Sequence, residues 1–146
     1  MTYEEIYSRS YMKKYDHKFY EDKDFAYDTM REWMHEIIAL PYVRNVFSTI
    51  ILDDEIEELT FTLVNSVDED SDNEFVKKLF SDGFVICWMR PQVDSVLNLA
   101  VVIGGKDEKK IQSNYKTTIE RLDSLERKFK KYVRDYGYFN GLDRTE

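Results

Sequence analysis

The sequence predicts a mainly α protein with a small β element, and three observations carry this prediction. Apolar residues recur at helical spacing through most of the 146-residue chain, whereas residues 45–65 are rich in β-branched side chains. Only 5 glycines and 2 prolines are present, so few positions interrupt an element. We expect a single domain over residues 1–146: a helical bundle around a central buried helix at about 73–90, a long C-terminal helix at about 107–136 and a β-hairpin near 45–65.

The first predicted helix covers residues 2–15. Thr2 is a suitable N-cap, and Glu4 and Glu5 fall in the first turn, where the helix dipole favours acidic side chains. Tyrosines recur every four residues and form a slanted aromatic stripe: Tyr3, Tyr7, Tyr11 and Tyr15. The stripe either packs on the protein's own core or faces another subunit, because tyrosine is enriched in interfaces.

The second predicted helix covers residues 23–40. Asp22 or Asp24 is its N-cap, and Pro41 ends it. Its apolar side chains follow helical spacing: Phe25, Ala26, Met30, Trp33, Met34, Ile37 and Ile38.

Two β-rich runs lie within residues 45–65, separated by the acidic residues 53–55. We predict a β-hairpin here, with a short helix over residues 53–60 as the alternative. Residues 66–72 are polar and acidic, so we expect a loop that leads into the next helix.

The central predicted helix runs from about residue 73 to residue 90, where Pro91 ends it. Its second half, residues 84–89, is apolar on every side, which is typical of a buried helix. Gly83 weakens a helix, so we expect another helix to approach it closely. Cys87 lies in the apolar stretch, and we expect it to be buried and unreactive.

The last predicted helix follows a connection over residues 92–107, in which Gly104 and Gly105 form the flexible point. Positions seven apart define a heptad seam along this helix: Tyr115, Leu122, Phe129 and Tyr136, with Thr118, Leu125 and Tyr132 between them. Gly137 stands where a C-cap is expected. We expect the tail, residues 138–146, to be ordered only against a partner.

A metal site is not expected. Three aspartates are spaced like the first ligands of a calcium loop: Asp68, Asp70 and Asp72. The sixth and twelfth places of that loop need Gly and Glu, and this chain has Asn73 and Leu79 there. The aspartates therefore favour a cap for the helix that follows.

Catalytic chemistry is not expected either, so the chain is predicted to be neither an enzyme nor a cofactor protein. The single cysteine forms no disulfide within the chain, and His17 and His35 have no nucleophile beside them in the pattern. Residues 104–106 lack the upstream glycine and the Ser or Thr of a phosphate loop. An enzyme of unrecognised type stays open as an alternative that a deep pocket with converging titratable groups would favour.

The charge is unevenly distributed along the chain. The net charge is −8, which argues against simple nucleic-acid binding by Lys and Arg. Residues 41–105 hold 4 basic and 12 acidic side chains, whereas residues 106–146 hold 11 basic and 8 acidic ones. These are either ordinary solvated faces or surfaces through which copies associate, basic against acidic. The N-terminus lacks the apolar run of a signal peptide, and we expect no membrane segment.

Three stretches of the chain resemble the small head–tail connector (neck adaptor) proteins of tailed bacteriophages. They are MTYEEIYSR at residues 1–9, FVICWMRPQ at residues 84–92 and RDYGY at residues 134–138. The resemblance implies a helical protomer with a small β element and a ring of copies, typically twelve. It also implies a location in the virion neck, after synthesis in the host bacterial cytoplasm, with the portal protein and the next neck or tail-completion protein as partners.

DNA would cross such a ring only as passing cargo, and an acidic wall suits that task because it repels the phosphate backbone. A head-to-tail ring needs two different complementary faces on each protomer. We predict that one face includes basic and aromatic residues near the C-terminus: Arg127, Lys128, Lys130, Lys131, Tyr136, Tyr138 and Phe139. The alternative function is a small acidic interaction or inhibitor protein, of the DNA-mimic type, that binds a basic partner.

Overall fold

A computed structural model describes residues 1–138 and divides the chain into two compact units. Of the described residues, the first unit contains Met1–Val85 and residues 129–138, and the second contains Ile86–Lys128. The predicted fold class is confirmed: the described chain is mainly helical, with one antiparallel hairpin. The helices are α1 (Tyr3–Ser8), α2 (Met12–Tyr15), α3 (Lys23–Ala39), α4 (Pro41–Arg44), α5 (Glu69–Ile103), α6 (Gly105–Asn114) and α7 (Lys116–Asp135); the strands are β1 (Phe47–Asp53) and β2 (Glu58–Leu63).

The predicted helix over residues 2–15 is wrong as one element, because it is broken into α1 and α2. Its start is as expected: the Thr2 side chain accepts from the Glu5 N–H, and the Glu5 carboxylate accepts from the Thr2 N–H. The chain leaves the helix at Arg9. Tyr3 and Tyr7 are buried, but Tyr11 lies beyond the break and is 42% exposed.

Helix α3 follows its prediction closely. Asp22 caps it by accepting from the Phe25 N–H at 3.1 Å. Buried side chains on α3 follow helical spacing: Ala26, Met30, Met34 and Ile37. The helix ends at Ala39, and Pro41 then occupies the first turn of α4, where its missing N–H costs nothing.

The predicted hairpin is present, and the alternative of a helix over residues 53–60 is wrong. β1 and β2 pair antiparallel, with Ile51 opposite Thr60 and Asp53 opposite Glu58. Phe47, Leu59 and Leu63 are buried on one face, whereas Ile51 is 61% exposed on the other.

Helix α5 is longer than predicted at both ends. It starts at Glu69, inside the predicted loop. Asp68, the residue before it, caps the helix because its side chain accepts a hydrogen bond from the Ser71 N–H at 2.7 Å. Its predicted end at Pro91 is wrong, because the helix continues through this proline to Ile103. Pro91 is exposed, while Val93 and Ala100 beyond it are buried, and this burial offsets the lost backbone hydrogen bond. The predicted connection over residues 92–107 is therefore wrong.

The first unit is packed around the N-terminal half of α5, as the apolar pattern predicts. Phe80 and Phe84 are fully buried, and the Phe84 ring lies 6.0 Å from the Trp33 ring. A Cβ on Gly83 would lie 2.5 Å from the Ile37 Cδ1 atom, so the expected close approach of another helix is confirmed. In the second unit, Cys87 is only partly buried, which corrects the expectation of full burial.

The predicted helix over residues 107–136 is also wrong as one element, because Tyr115 interrupts it between α6 and α7. Tyr115 is 47% exposed and takes no part in a buried seam, whereas Leu122 and Phe129 are buried as predicted. Gly137 has a φ of +67°, and a Cβ there would lie 2.0 Å from the Asn65 carbonyl oxygen. The expected C-cap glycine is thus confirmed. None of the helices within residues 1–138 is long and apolar enough to cross a bilayer.

Candidate functional site

The predicted basic residues lie on α7 with their side chains exposed. Arg127 and Lys128 belong to the second unit, and Lys130 and Lys131 to the first. Arg127 makes an exposed ion pair with Asp123 at 3.4 Å. An exposed pair of this kind contributes little to the free energy of folding. The four basic side chains are exposed, so a partner can reach them.

Lys130 has an additional contact in the first unit. Its Nζ atom lies 5.4 Å from the centre of the Tyr42 ring, and that ring meets the buried Phe129 ring edge-on at 6.0 Å. The cation–π contact holds the lysine against α4 without burying its charge.

Tyr136 is committed to contacts within the first unit. Its ring stacks on Phe75 with 3.9 Å between centroids, and its hydroxyl donates to the Asp72 carboxylate at 2.6 Å. Burial, followed by the hydrogen bond to Asp72, raises the pKa of the Tyr136 phenol. Tyr138 is 56% exposed, and Phe139 lies outside the described residues.

The hairpin turn forms a second charged surface, which we call the acidic tip, residues 53–58. Five of its six side chains are carboxylates, and the sixth, Ile56, is 62% exposed. The Asp53 carboxylate accepts from the Glu55 N–H at 3.1 Å, an Asx-type turn that shapes the loop. Glu57 adopts a left-handed φ of +53°, which is unfavourable for a residue other than Gly, Asn or Asp. The tip is thus an acidic turn, shaped by the hydrogen bond to Asp53, in which the Ile56 side chain is exposed to solvent.

Asp54 anchors the acidic tip to the rest of the first unit. Its carboxylate accepts from the Tyr3 hydroxyl at 2.7 Å and lies 2.9 Å from the His35 Nε2 atom. Desolvation raises the pKa of Asp54, but the hydrogen bonds from Tyr3 and His35 outweigh it and lower this pKa overall. The N-terminus adds a backbone clamp, because Tyr3 N–H donates to the Glu57 carbonyl at 2.9 Å. The tip is thus held in place rather than free to swing.

A groove of about 510 Å³ opens in the second unit, and we call it the α6 groove. Leu97 of α5 and Ile119 of α7 supply its apolar surface, and Lys109 and Lys116 supply positive charge. Glu120 also lines it and lies 3.8 Å from the Lys116 Nζ atom. The groove combines an apolar surface with ammonium groups at its edge.

The end of α5 in the second unit is exposed and apolar. Val101 and Val102 are 70% and 82% exposed, and Leu99 and Ile103 are about half exposed. Apolar side chains that are contiguous on one helix end are typical of surfaces that contact another molecule.

A further groove of about 470 Å³ lies beside β2 in the first unit. Asp72 lines it, but this carboxylate already accepts from the Val67 N–H at 3.0 Å and from the Tyr136 hydroxyl. The Asp72 carboxylate in this groove therefore stabilises the connection between β2 and α5. Within residues 1–138, no group of three or more His, Cys, Asp and Glu side chains is placed to hold a metal ion.

Two of these features were not predicted from the sequence. The predicted turn covered residues 53–55 only, and nothing in the pattern indicated that Ile56 would be exposed. The α6 groove could not be predicted, because it depends on Leu97 and Ile119 coming together across a stretch predicted as a connection.

The chain was compared with known proteins. It matches no family model, no curated protein and no solved structure.

Proposed function

We propose that this chain is a structural neck protein of a tailed bacteriophage, a head–tail connector that forms a ring between portal and tail. One observation carries the proposal: each protomer exposes an acidic tip and, in another stretch of the chain, basic side chains on α6 and α7. A closed head-to-tail ring requires two different, complementary surfaces of this kind on every copy.

The exposed apolar side chains support the same proposal. Val101 and Val102 at the end of α5 are 70% and 82% exposed, and Tyr138 after α7 is 56% exposed. Contacts with sister copies, the portal protein and the next neck or tail-completion protein would cover such residues. The resemblance of residues 1–9, 84–92 and 134–138 to neck adaptors points to the same class.

The charge suits a DNA channel that does not hold its cargo. With a net charge of −8, the chain repels the phosphate backbone, so DNA slides past it. Tight binding of the isolated chain to duplex DNA at moderate salt would contradict this proposal.

The experiment is to measure the composition of intact particles. Virions made by a strain that encodes the chain are purified, and the chain is quantified against the portal protein by mass spectrometry. We expect the chain in every particle at about one copy per portal subunit. Its consistent absence from intact particles would overturn the proposal.

The predicted C-terminal surface has its own test. Lys128→Glu with Lys131→Glu reverses two exposed charges on α7, and we expect weaker ring formation or weaker docking on the portal. Glu21→Lys with Glu32→Lys reverses two exposed charges elsewhere, so it is the control. Unchanged assembly of the Lys128/Lys131 variant would exclude these lysines from the interface.

The acidic tip also favours a second candidate, an inhibitor that binds a basic partner. The exposed carboxylates clustered on this hairpin present several negative charges together, as a DNA mimic does. A mimic binds a DNA-handling enzyme as a monomer or dimer, whereas a connector forms a ring on the portal. The mass of the purified complex separates the two.

A further inference from the structure

We infer that copies of this chain join by inserting the acidic tip of one copy into the α6 groove of the next. This inference rests on the proposed ring and names the contact that would build it. The tip belongs to the first unit and the groove to the second.

The apolar parts of the two surfaces match. Ile56 is 62% exposed at the centre of the tip, with carboxylates on both sides of it in the chain. The groove offers Leu97 and Ile119, both only partly covered by their own chain. Placing Ile56 between them removes three apolar side chains from water, which is the main source of affinity in protein interfaces.

The charges are complementary as well. Glu55 and Glu58 are exposed beside Ile56 and form no ion pair with any residue of the described chain. Lys109 and Lys116 stand at the groove, and the pairing of Lys116 with Glu120 is loose, at 3.8 Å. Exposed pairs of this type contribute modestly to affinity, but they set the register and exclude a reversed orientation.

The tip is prepared for binding. The bonds from Tyr3 and His35 to Asp54, and from Tyr3 N–H to the Glu57 carbonyl, hold the hairpin before any partner arrives. A pre-ordered loop loses little conformational freedom on association. The groove volume of about 510 Å³ is in the range of pockets that take a small, compact group.

The contact is heterologous, since the tip and the groove are different surfaces. Each copy would use its tip on one neighbour and its groove on the other, which is the head-to-tail arrangement that a ring requires. The same geometry explains why the chain keeps an acidic hairpin and lysines in separate stretches, residues 53–58 and 106–116.

Photo-cross-linking tests the contact directly. A photoreactive phenylalanine analogue replaces Ile56 in the full chain, and the assembled protein is irradiated and digested. We expect cross-links between copies that map to residues 97 and 109–120. The control carries the analogue at Phe25, which is 60% exposed on α3 and should give none there. Cross-links from position 56 to other residues, to the portal protein only, or to nothing would overturn the inference.

Charge reversal provides a second, independent measurement. Glu55→Lys with Glu58→Lys, and separately Lys109→Glu with Lys116→Glu, should each weaken self-association at least about threefold, an effect typical of exposed pairs. Mixing the two variants should restore association between unlike copies, because the Lys tip of one meets the Glu groove of the other and the Glu tip meets the Lys groove. Failure of the mixture to associate better than either variant alone would contradict the pairing.

The outcome is separable from that of the proposed function. If particles contain the chain in a ring but position 56 cross-links elsewhere, the connector proposal stands and this contact is wrong. If particles lack the chain but position 56 still cross-links to residues 109–120 of another copy, the contact stands and the connector proposal falls.

Discussion

Gly83 and Glu57 each occupy a position at which another residue type is intrinsically more favourable. Gly83 sits inside α5, where alanine is intrinsically better, because the Ile37 side chain occupies the space of a Cβ. Glu57 sits in a left-handed conformation that glycine adopts without strain. Gly83 allows Ile37 to pack against α5. We attribute the glutamate at position 57 to the negative charge that it adds to the acidic tip.

Gly83→Ala should lower the free energy of unfolding although it improves helix propensity. The new methyl meets the Ile37 Cδ1 atom at 2.5 Å, and overpacking of this kind costs about 1–3 kcal/mol. Ile37→Val removes that atom, so the alanine should cost less in the Val background. Urea unfolding of the two single variants and the double variant measures this coupling. Equal costs in both backgrounds would show that Ile37 is not the obstacle.

Glu57→Gly should raise the free energy of unfolding and weaken self-association. Relief of the left-handed φ should raise the free energy of unfolding by about 1 kcal/mol. Self-association should weaken, because one carboxylate of the tip is lost. Glu57→Gln is the matched control, since it removes the charge and keeps the strained backbone. A glycine variant that assembles normally would argue against a role for this carboxylate.

Among the helices and strands, the capping residues were predicted correctly, whereas the breaks inside the predicted helices were not. The caps at Thr2, Asp22 and Gly137 were readable because each acts through neighbours in the sequence. The breaks after Ser8 and at Tyr115 carry no glycine or proline, so the pattern gave no sign of them. The passage of α5 through Pro91 is the opposite case, in which burial beyond the proline overrides a strong local signal.

Pro91→Ala should stabilise α5. The proline has no N–H to donate to the carbonyl four residues earlier, and an interior proline costs about 3 kcal/mol relative to alanine. Because Pro91 is exposed, its replacement removes no buried contact. Thermal unfolding and amide exchange across residues 87–95 measure the gain, with Asp94→Ala as an exposed control. An unchanged or lower melting temperature would contradict this prediction.

For the molecule as a whole, the fold class was predictable from the sequence, whereas the α6 groove and the exposed Ile56 were not. Composition and periodicity report on short stretches, and they sufficed for a mainly α chain with a hairpin at residues 47–63. The α6 groove and the exposure of Ile56 depend on which distant residues meet. The predicted lysines of α7 are exposed, but Tyr136 is occupied by Phe75 and Asp72.

Stability should fall at alkaline pH because several tyrosines are buried. Burial, with a smaller contribution from the Glu4 hydrogen bond, raises the pKa of Tyr27 to about 12, and burial with the nearby Asp82 charge raises that of Tyr132 to about 12. Both exceed the unfolded value of about 10, so the folded state holds these protons more tightly. The stabilisation is complete below pH 10 and is lost between about pH 10 and pH 12. Urea unfolding across this range, with Tyr27→Phe as control, tests it; constant stability would contradict it.

Assembly of this chain with copies of itself on a portal is the proposal on which the other predictions depend. It can be tested by native mass spectrometry of the complex that the purified full-length chain forms with purified portal protein. We expect a closed ring, about twelve copies of the chain on each portal, and no such ring when Ile56 is replaced by serine. A chain that stays monomeric beside the portal, or binds it as a single copy, would overturn the proposal.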